Sequence, residues 1–332
     1  MKGKIFLTAK LRNISPLRIG SGEAENTDAD ILLDSDAKPY IPASAFSGVL
    51  RREFDKYGYK DLADIFWGKS EKTQSLFSCN DLTLNSSYTV TIRDNIAIES
   101  KTGLTKETAK FDSEVLDVGA LFQLFIEVDI KDSKEKSLQF IAVTKEILKK
   151  GISIGAKTAS GFGSILLESF NCTLLDFSKK EDILLWVKKD FSRKDNPCLS
   201  EIKVPLENRN ELVIEADFDI KNSLLIKNYY DSFLTEFDLD AVHLKSGNQN
   251  IISGTSLKGA IRARAEKIIN TVTGKIDESY VNNLFGFVEK DEKGKEVPNG
   301  KSEPSRVFVN EVPINKVSEE LQTRIKIDRF TG

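Results

Sequence analysis

An internal repeat constrains the fold of this chain more than any other feature of its sequence. Five short segments of the first half recur in the second half in the same order. The pairs are LTAKLRNISPLRI with VIEADFDIKNSLLI, IPASAFSGVLR with ISGTSLKGAIR, DIFWG with NLFGF, SCNDLTL with FVNEVPI, and IESKTG with IDRFTG. Because an ordered set of matching segments indicates one structural unit used twice, the sequence predicts two copies of a single module in tandem.

Hydrophobic spacing predicts the elements of the first copy. Residues 4–12 alternate as in a strand, and Phe46, Val49, Leu50 and Phe54 recur at helical spacing. Farther on, ALFQLFIEVDI alternates as a strand, KSLQFIAVTKEILKKG has the pattern of a helix, and a glycine-rich turn precedes another strand. The order β-α-β-hairpin-β-α-β is that of a ferredoxin-like fold. The predicted fold class is therefore α+β, with two ferredoxin-like (RRM-like, βαββαβ) modules in tandem, the second incomplete.

The repeat also sets the predicted domain boundaries. Residues 1–175 form the first module, with a projecting hairpin at about 88–115, and residues 176–210 form a charged, proline-containing connector. The second module occupies residues 211–332 and has no counterpart of residues 104–175, which contain two strands and the long helix. Because a four-stranded sheet that lacks two strands buries little core, we expect a truncated chain, a split gene or a missing partner.

Composition sets only loose limits on function. The net charge of −3 is unlike the basic surplus common in nucleic-acid-binding domains, so an RNA-binding face must collect Lys and Arg locally. No apolar run is long enough to cross a bilayer, which predicts a cytoplasmic protein without membrane contact. Cys79, Cys172, Cys198 and the single His243 have no metal-ligand spacing, so no structural metal site is expected.

A helix start with phosphate-binding character occurs in both copies, as PYIPASAFSGVLR and NIISGTSLKGAIR. A small, hydroxyl-rich turn that opens a helix presents free N–H groups at the positive end of the helix dipole. The residues predicted to contact an RNA backbone here are Ser44, Ser47, Arg51, Arg52, Thr255, Ser256, Lys258 and Arg262. The alternative is ordinary helix capping, with the arginines in solvent.

A second candidate is the glycine-rich turn in GISIGAKTASGFGSI. Glycines allow a ligand to approach the main chain closely, and a lysine supplies positive charge. The turn is not a Walker loop, because GKS or GKT in the required spacing is absent. It is predicted to lie along an RNA backbone through Lys157, Thr158, Gly161 and Phe162, unless it is a structural β-turn.

Together, IPASAFSGVLRREF, GAKTASGFGSI, ISGTSLKGAIRARAEKI and IDRFTG resemble the RAMP superfamily of CRISPR-associated proteins. Within it, the chain most resembles the backbone subunit of type III effector complexes, as a tandem fusion. The resemblance implies binding of a guide (CRISPR) RNA and complementary target RNA, beside other effector subunits or the rest of a longer fused chain. It also implies that the hairpin displaces one nucleotide at regular intervals while base pairing provides sequence specificity. Further RNA contacts are expected from Arg18, Lys101, Lys245 and Arg329.

The resemblance also implies a catalytic residue. In catalytic relatives, an aspartate in the loop after the first strand cleaves target RNA with a divalent metal, Mg²⁺ or Mn²⁺. Counting back from the helix motif, that aspartate corresponds to Asp28 and, in the second copy, to Asp240. Asp30 and Asp238 lie close by in sequence, and a solvated acidic loop without any catalytic role would have the same composition.

Three alternatives accompany this hypothesis. One is a scaffold subunit of the same complex, which binds RNA without cleaving it. Another is an endoribonuclease that processes guide RNA without a metal, using His243 or a lysine as the base. The last is an unrelated ferredoxin-like interaction domain, which would require the repeat to be accidental.

Overall fold

The computed structural model describes residues 2–22, 27–69, 73–98, 105–131, 133–189, 199, 202–207, 211–228, 241–274, 279–289, 297 and 300–323. The elements of the first module are β1 (Gly3–Asn13), β2 (Tyr40–Ile41), α1 (Ala43–Lys56), α2 (Lys60–Phe66), β3 (Phe77–Cys79), β4 (Leu82–Leu84), β5 (Val90–Ile98), β6 (Thr105–Leu116), β7 (Leu121–Ile130), α3 (Lys134–Lys150), β8 (Ile152–Ser153) and β9 (Ser164–Asp176). A 3-10 turn covers Thr158–Ser160. The later elements are α4 (Lys180–Val187), β10 (Lys227–Asn228), β11 (Val242–His243), β12 (Lys245–Ser246), β13 (Gln249–Ile252), α5 (Gly254–Thr273), α6 (Ser279–Phe285), β14 (Phe287–Val288), β15 (Ser302–Glu303) and β16 (Val312–Pro313).

Strand β1 is central in the main sheet. The strand order is β2-β4-β7-β1-β9-β8, with β3 also paired to β7, and both β7 and β9 run antiparallel to β1. Alternate side chains of β1, those of Ile5, Leu7, Ala9 and Leu11, are buried on the inner face of the sheet. The order of elements and strands confirms the predicted ferredoxin-like arrangement for the first module.

The helices of the first module pack on this inner face around one aromatic cluster. Helix α1 buries Phe46, Leu50 and Phe54, the residues whose spacing predicts the helix. Phe140 of α3 lies at the centre of the cluster. Its ring centroid is 4.4 Å from that of Phe66 and 5.1 Å from that of Phe54. All these residues belong to one continuous hydrophobic core.

Local sequence signals set both ends of α3. The Ser133 side chain accepts a hydrogen bond from the N–H of Lys136, which caps the first turn. The helix ends before Gly151, whose φ of 98° is a conformation that other residues rarely adopt. The sequence-based prediction that this helix ends at Gly151 is therefore correct to within one residue.

The projecting hairpin consists of β5 and β6, which pair with each other and form a sheet of their own. Its base is attached to the first module by an antiparallel bridge between Leu17 and Leu116. The two-stranded hairpin thus spans residues 90–98 and 105–116. Lys101, a predicted RNA contact, lies outside the described residues.

The described part of the connector packs on the first module. Helix α4 (Lys180–Val187) lies in this segment. Leu199 is buried, and Val204 and Leu206 pack against the same hydrophobic core as Phe140. The Tyr59 hydroxyl donates a hydrogen bond of 3.2 Å to the carbonyl of Pro205. Residues 199 and 202–207 therefore extend the first module, which the composition of this segment does not predict.

The second copy reproduces the helical part of the module. Helices α5 and α6 correspond to α1 and α2 in the repeat. Strand pairing repeats as well: Ile252 is opposite Val312, as Ile41 is opposite Leu82 in the first module. Residues 211–226, the counterpart of β1, belong to no strand or helix. Of the helices described, none combines the length and apolar character needed to span a membrane.

Replacing Phe140 by Ala is expected to destabilise the first module strongly. The ring is fully buried among four other aromatic rings, so its removal leaves a cavity that the sheet and α1 cannot fill. We expect a loss of about 3–5 kcal/mol in the free energy of unfolding, measured by denaturant titration. The control is Val187→Ala at an exposed position of α4, which should change it by less than about 0.5 kcal/mol. Equal effects of the two substitutions would contradict this account of the core.

Candidate nucleic-acid interface

Asp28 is held against the hairpin by a reciprocal pair of hydrogen bonds. The Asp28 N–H donates to Asp112 Oδ1 at 2.9 Å, and the Asp112 N–H donates to Asp28 Oδ2 at 3.0 Å. A second link lies farther along the same loop, where the Ile31 N–H donates to Glu114 Oε2 at 3.1 Å. The loop after β1 is thus fixed along strand β6, and the exposed carboxylate of Asp28 lies beside the hairpin.

The structure distinguishes Asp28 from its neighbour Asp30. Asp30 is buried, and its Oδ1 accepts hydrogen bonds from both the N–H and the hydroxyl of Thr27, at 2.8 and 2.7 Å. Such a carboxylate closes a turn and is not available to a ligand. Of the two aspartates, only Asp28 is exposed. Asp240, the counterpart predicted in the second copy, lies outside the described residues.

A divalent cation beside Asp28 would need oxygen ligands from a substrate in addition to those from the protein. Among the described residues, no group of three or more His, Cys, Asp or Glu side chains could hold a metal ion. Mg²⁺, however, is commonly bound by one or two carboxylates together with substrate phosphates. Asp28 and Asp112 could supply those carboxylates, with the phosphates of a bound RNA completing the coordination shell.

A basic cluster lies under the hairpin. The Lys157 ammonium donates a 2.6 Å hydrogen bond to Asn95 Oδ1 on β5, and its Nζ is 4.7 Å from the centroid of the Phe111 ring on β6. Burial, together with the nearby charges of Arg18 and Arg93, lowers the pKa of Lys157 to about 8. Burial also lowers the pKa of Arg18. Three positive groups thus meet where the glycine-rich turn touches the hairpin.

The start of α1 is capped from within the protein. The N–H of Ala43 donates to Asp81 Oδ1 at 2.7 Å, so a carboxylate already occupies part of the predicted phosphate site. Ser47 accepts a hydrogen bond from Trp67 Nε1 at 2.7 Å, and Arg51 forms an ion pair with Asp64 at 3.2 Å. Two of the four predicted contacts on this helix therefore have protein partners.

The other two predicted residues of α1 are more exposed. Arg52 is mostly exposed, with Glu53 3.7 Å from its guanidinium, and Ser44 is exposed in the first turn of the helix. An exposed surface arginine gains little from an ion pair of this length. Its positive charge is therefore directed largely at solvent, where a phosphate could replace the water around it.

The glycine-rich turn packs closely against the second copy at Ser160 and Gly161. A Cβ at Gly161 would overlap the main chain at Asn310 and Glu311, and a Cβ at Gly254 would overlap the carbonyls of Ser160 and Val309. Only glycine permits this approach of the turn to the start of α5. The N–H of Val309 also donates to the carbonyl of Ala159 at 3.2 Å. This close packing gives Gly161 a structural role that the sequence does not reveal.

Several predicted cations of the second copy are bound to protein atoms. Lys258 donates to the carbonyl of Ala159 at 3.2 Å and to Ser305 Oγ at 2.8 Å. Arg262 donates to the carbonyl of Gly286 at 3.0 Å and to Asn282 Oδ1 at 2.7 Å, which joins α5 to α6.

The other predicted contacts near these residues follow the same trend. Lys245 forms an ion pair with Glu319 at 3.2 Å. Ser253 caps α5, accepting from the N–H of Ser256 at 3.2 Å and from the Thr255 hydroxyl at 3.1 Å. The RNA-binding role of all these residues stays a prediction, and that of Arg329 falls outside the described residues.

One ion pair joins the two modules, and the sequence does not predict it. Arg93 on β5 donates to Glu311 Oε1, both side chains are buried, and the Arg93 guanidinium lies 5.3 Å from the Phe162 ring centroid. Burial raises the pKa of Glu311, and the charge of Arg93 partly offsets that rise. The repeat offers one signal for this contact, because Glu311 aligns with Asp81, the residue that caps α1.

His243 and the described cysteines have structural surroundings. His243 Nε2 is 3.0 Å from the carbonyl of Ile251, and its Nδ1 accepts from the N–H of Ile226 at 3.3 Å, so a ring protonated on Nε2 satisfies both contacts. Burial raises the pKa of Cys79 and of Cys172 to about 12, which keeps both thiols protonated. Cys198 lies outside the described residues.

The sequence shows which family the chain belongs to. The profile of the RAMP superfamily matches residues 10–166 and 195–332, which together form most of the chain. The chain is therefore a member of the RAMP superfamily. No curated protein matches it.

One similar solved chain comes from the cryo-EM structure of the type III-B Cmr-beta bound to cognate target RNA. It has 13% sequence identity, covers 49% of this chain and 96% of the other, and has a TM-score of 0.44. This similarity is too weak to indicate a function.

Breaking the Arg93–Glu311 pair from one side should cost more than removing it altogether. Glu311→Met leaves a buried guanidinium without its carboxylate, which costs about 3–5 kcal/mol in such sites. The double variant Arg93→Met, Glu311→Met buries no charge and should lose clearly less. A double-mutant cycle in the free energy of unfolding measures the coupling. Additive effects would show that the two side chains do not interact.

The free energy of unfolding of the wild-type protein should rise between pH 8 and pH 10.5 relative to that of variants in which residue 157 does not titrate in this range. Its pKa in the folded protein is about 8 against an ordinary 10.5, so the folded state loses the proton first in this window. Below pH 8 the cost of the buried charge is present in full. Lys157→Met and Lys157→Arg both remove this titration. Unfolding free energies at pH 7.5 and 10 should show wild type gaining on both variants, and a constant difference would contradict the assignment.

Proposed function

We propose that this chain is an RNA-binding backbone subunit of a type III CRISPR effector complex, and that Asp28 takes part in cleaving target RNA. The observation that carries the proposal is the reciprocal hydrogen bonding of Asp28 with Asp112, which holds an exposed carboxylate beside the hairpin. Membership of the RAMP superfamily and the ordered repeat support the class of protein.

The guide RNA would bind mainly through its phosphates. Phosphate contacts dominate the affinity of proteins for nucleic acids, and they require local positive charge whatever the net charge of the chain. Arg18 and Lys157 at the base of the hairpin, and Arg52 on α1, supply that charge on the first module. The hairpin would then separate neighbouring nucleotides, and its exposed Ile96 and Phe111 provide apolar surface against a displaced base.

Cleavage would use the 2′-hydroxyl next to the displaced nucleotide. Displacement can bring the 2′-oxygen in line with the adjacent phosphorus, so that a 2′-O–P bond forms as the P–O5′ bond breaks. The products are a 2′,3′-cyclic phosphate and a 5′-hydroxyl, whose oxygen takes a proton from water. Asp28 would orient the attacking hydroxyl through a hydrogen bond and accept its proton, which then passes to the hydroxide left where water protonates the 5′-oxygen. Together with Asp112 it could also hold Mg²⁺ or Mn²⁺, which when bound stabilises negative charge on the phosphate oxygens.

Guide processing by His243 receives less support. Both ring nitrogens of His243 are engaged by main-chain atoms, at Ile251 and Ile226, so neither is available to a substrate hydroxyl. A general base must lie within hydrogen-bonding reach of the proton that it removes. The structure therefore favours Asp28 over His243 as the residue to test first.

Asp28→Asn should abolish cleavage while leaving RNA binding intact. The amide oxygen can still accept from the Asp112 N–H, so the loop keeps its position and only the negative charge is lost. We expect a fall in cleavage rate of about 100-fold or more. The assay follows labelled target RNA with the guide-loaded complex, in Mg²⁺ or with EDTA, beside a binding measurement. The matched control is Asp36→Asn, an exposed aspartate of the same acidic loop, which should cut normally.

The possible outcomes separate the hypotheses. Metal-dependent cuts at regular spacing that disappear in Asp28→Asn support both the subunit class and the nuclease. Tight RNA binding without cuts in any version indicates the scaffold, with Asp28 as an ordinary loop acid. Normal cutting by Asp28→Asn, or failure of the guide-loaded complex to form, would refute the proposal.

A further inference from the structure

Strand β6 of the hairpin holds the loop that carries Asp28. Besides the reciprocal hydrogen bonds between Asp28 and Asp112, the N–H of Glu114 donates to the carbonyl of Ala29 at 3.1 Å. Asp112 and Glu114 flank Ser113 on this strand. The position of Asp28 therefore depends on the position of this short stretch of β6.

Arg93 lies directly across the hairpin from this stretch. In the register of β5 and β6, Arg93 is opposite Ser113. Asn95 ties the two strands together here, since its Nδ2 donates to the carbonyl of Arg93 at 2.9 Å and to Ser113 Oγ at 3.1 Å. A displacement of Arg93 would accordingly move the part of β6 that holds Asp28.

The second module fixes the carboxylate that Arg93 meets. The main-chain nitrogen of Glu311 is so close to the glycine-rich turn that a Cβ at Gly161 would lie 2.6 Å from it. On one side of Glu311, β16 pairs with β13, and on the other side the N–H of Val309 is hydrogen-bonded to the same turn. The Glu311 side chain thus reaches the hairpin from a backbone that is held in place.

Glu311 in turn orients the Arg93 guanidinium. Arg93 Nη1 donates to Glu311 Oε1. Among the described residues, no hydrogen-bond acceptor is found for the buried Nε and Nη2 of Arg93. The direction of the guanidinium is therefore set by its bond to Glu311, together with the Phe162 ring beside it.

Stability alone does not account for a buried ion pair at this contact. The Arg93 and Glu311 side chains are only 6% and 9% exposed. Removing two charges from water can cost as much free energy as their attraction contributes, and well-packed apolar residues are often at least as stabilising. An ion pair with a charged hydrogen bond nevertheless requires one particular geometry. The pair is thus better suited to fixing an arrangement than to adding stability.

We propose that Glu311 is a positioning residue for cleavage at Asp28. Through Arg93 it would hold the hairpin in one position against the second module, and β6 would transmit that position to the Asp28 loop. This role rests on the proposed function, because it belongs to the same reaction. It makes the second copy of the module a structural part of the cleavage site in the first.

Amide hydrogen exchange of the intact chain tests the structural link without RNA. The variant is Arg93→Met, Glu311→Met, which buries no charge. The N–H groups of Asp28 and Asp112 report the link, because each donates to the other's carboxylate. Their exchange should be about tenfold or more faster in the variant, while the paired amides of β1 exchange as slowly as in the wild type and show that the module is folded.

Single-turnover cleavage by the guide-loaded complex tests the effect on the reaction. With the complex in excess and saturating, the rate of cutting labelled target RNA does not depend on the affinity for RNA. The double variant should bind RNA as the wild type does and cut it about 10–100-fold more slowly, because a small displacement of a reacting group has an effect of this size. Arg93→Lys keeps the charge without the planar guanidinium, and its rate should lie between the two.

The control removes an ion pair with the same charges elsewhere. Lys149 and Glu146 are 2.7 Å apart on the surface of α3. Lys149→Gln, Glu146→Gln should exchange and cut as the wild type does. A merely stabilising contact between Arg93 and Glu311 would likewise leave the cleavage rate unchanged in every variant that remains folded.

The cleavage assay also separates this role from the proposed function. A wild-type complex that does not cut, or normal cutting by Asp28→Asn, would refute the proposed function itself. When cutting depends on Asp28 but the double variant cuts at the wild-type rate, only the role of Glu311 is overturned. Slow cutting with unchanged exchange at Asp28 and Asp112, or with weakened RNA binding, would also overturn it. Where the double variant does not fold, Arg93→Lys is subject to the same test.

Discussion

The pairing of β1 on both of its edges is the constraint on which the first module depends. A central strand satisfies its main-chain donors and acceptors only when both neighbours are present, and its inner side chains are buried only when helices cover that face. Strands β7 and β9 meet the first requirement, and α1 and α3 meet the second. Residues 211–226 have the same alternation without these neighbours, and they form no strand. The contrast within one chain shows that alternation alone does not produce this strand.

The repeat also shows how one position can acquire two tasks. Asp81 caps α1 by accepting from the N–H of Ala43, while its counterpart Glu311 forms a buried pair with Arg93. The difference follows from the residue before each helix. Pro42 offers no side-chain cap, whereas Ser253 caps α5 by itself. Because α5 has its own cap, the acid at the second position is free to bind the hairpin of the first module, and the longer side chain of Glu can reach it.

Most of the first module could be predicted from the sequence, because periodicity alone identified β1, α1, β7 and α3. The partners of the charged residues could not. Arg51, Lys258 and Arg262 are spaced like a phosphate-binding row, yet Asp64, Ala159 and Gly286 respectively accept their hydrogen bonds. A cation at a helical position looks the same in sequence whether its partner is a carboxylate, a carbonyl or a phosphate. Only the tertiary arrangement determines which partner a charged residue has. The same applies to Asp28 and Asp30, which are the same type of residue and differ in burial.

The Lys157 cluster reconciles an acidic chain with an RNA-binding role. A net charge of −3 disfavours long-range attraction of RNA, so binding must depend on short-range contacts with local cations. Arg18, Arg93 and Lys157 are crowded, and the crowding and burial that lower the pKa of Lys157 oppose its charged form. A phosphate placed beside the cluster would reverse that balance, because an opposite charge at short range favours protonation. Glu311 already neutralises Arg93, so a bound phosphate would act chiefly on Arg18 and Lys157.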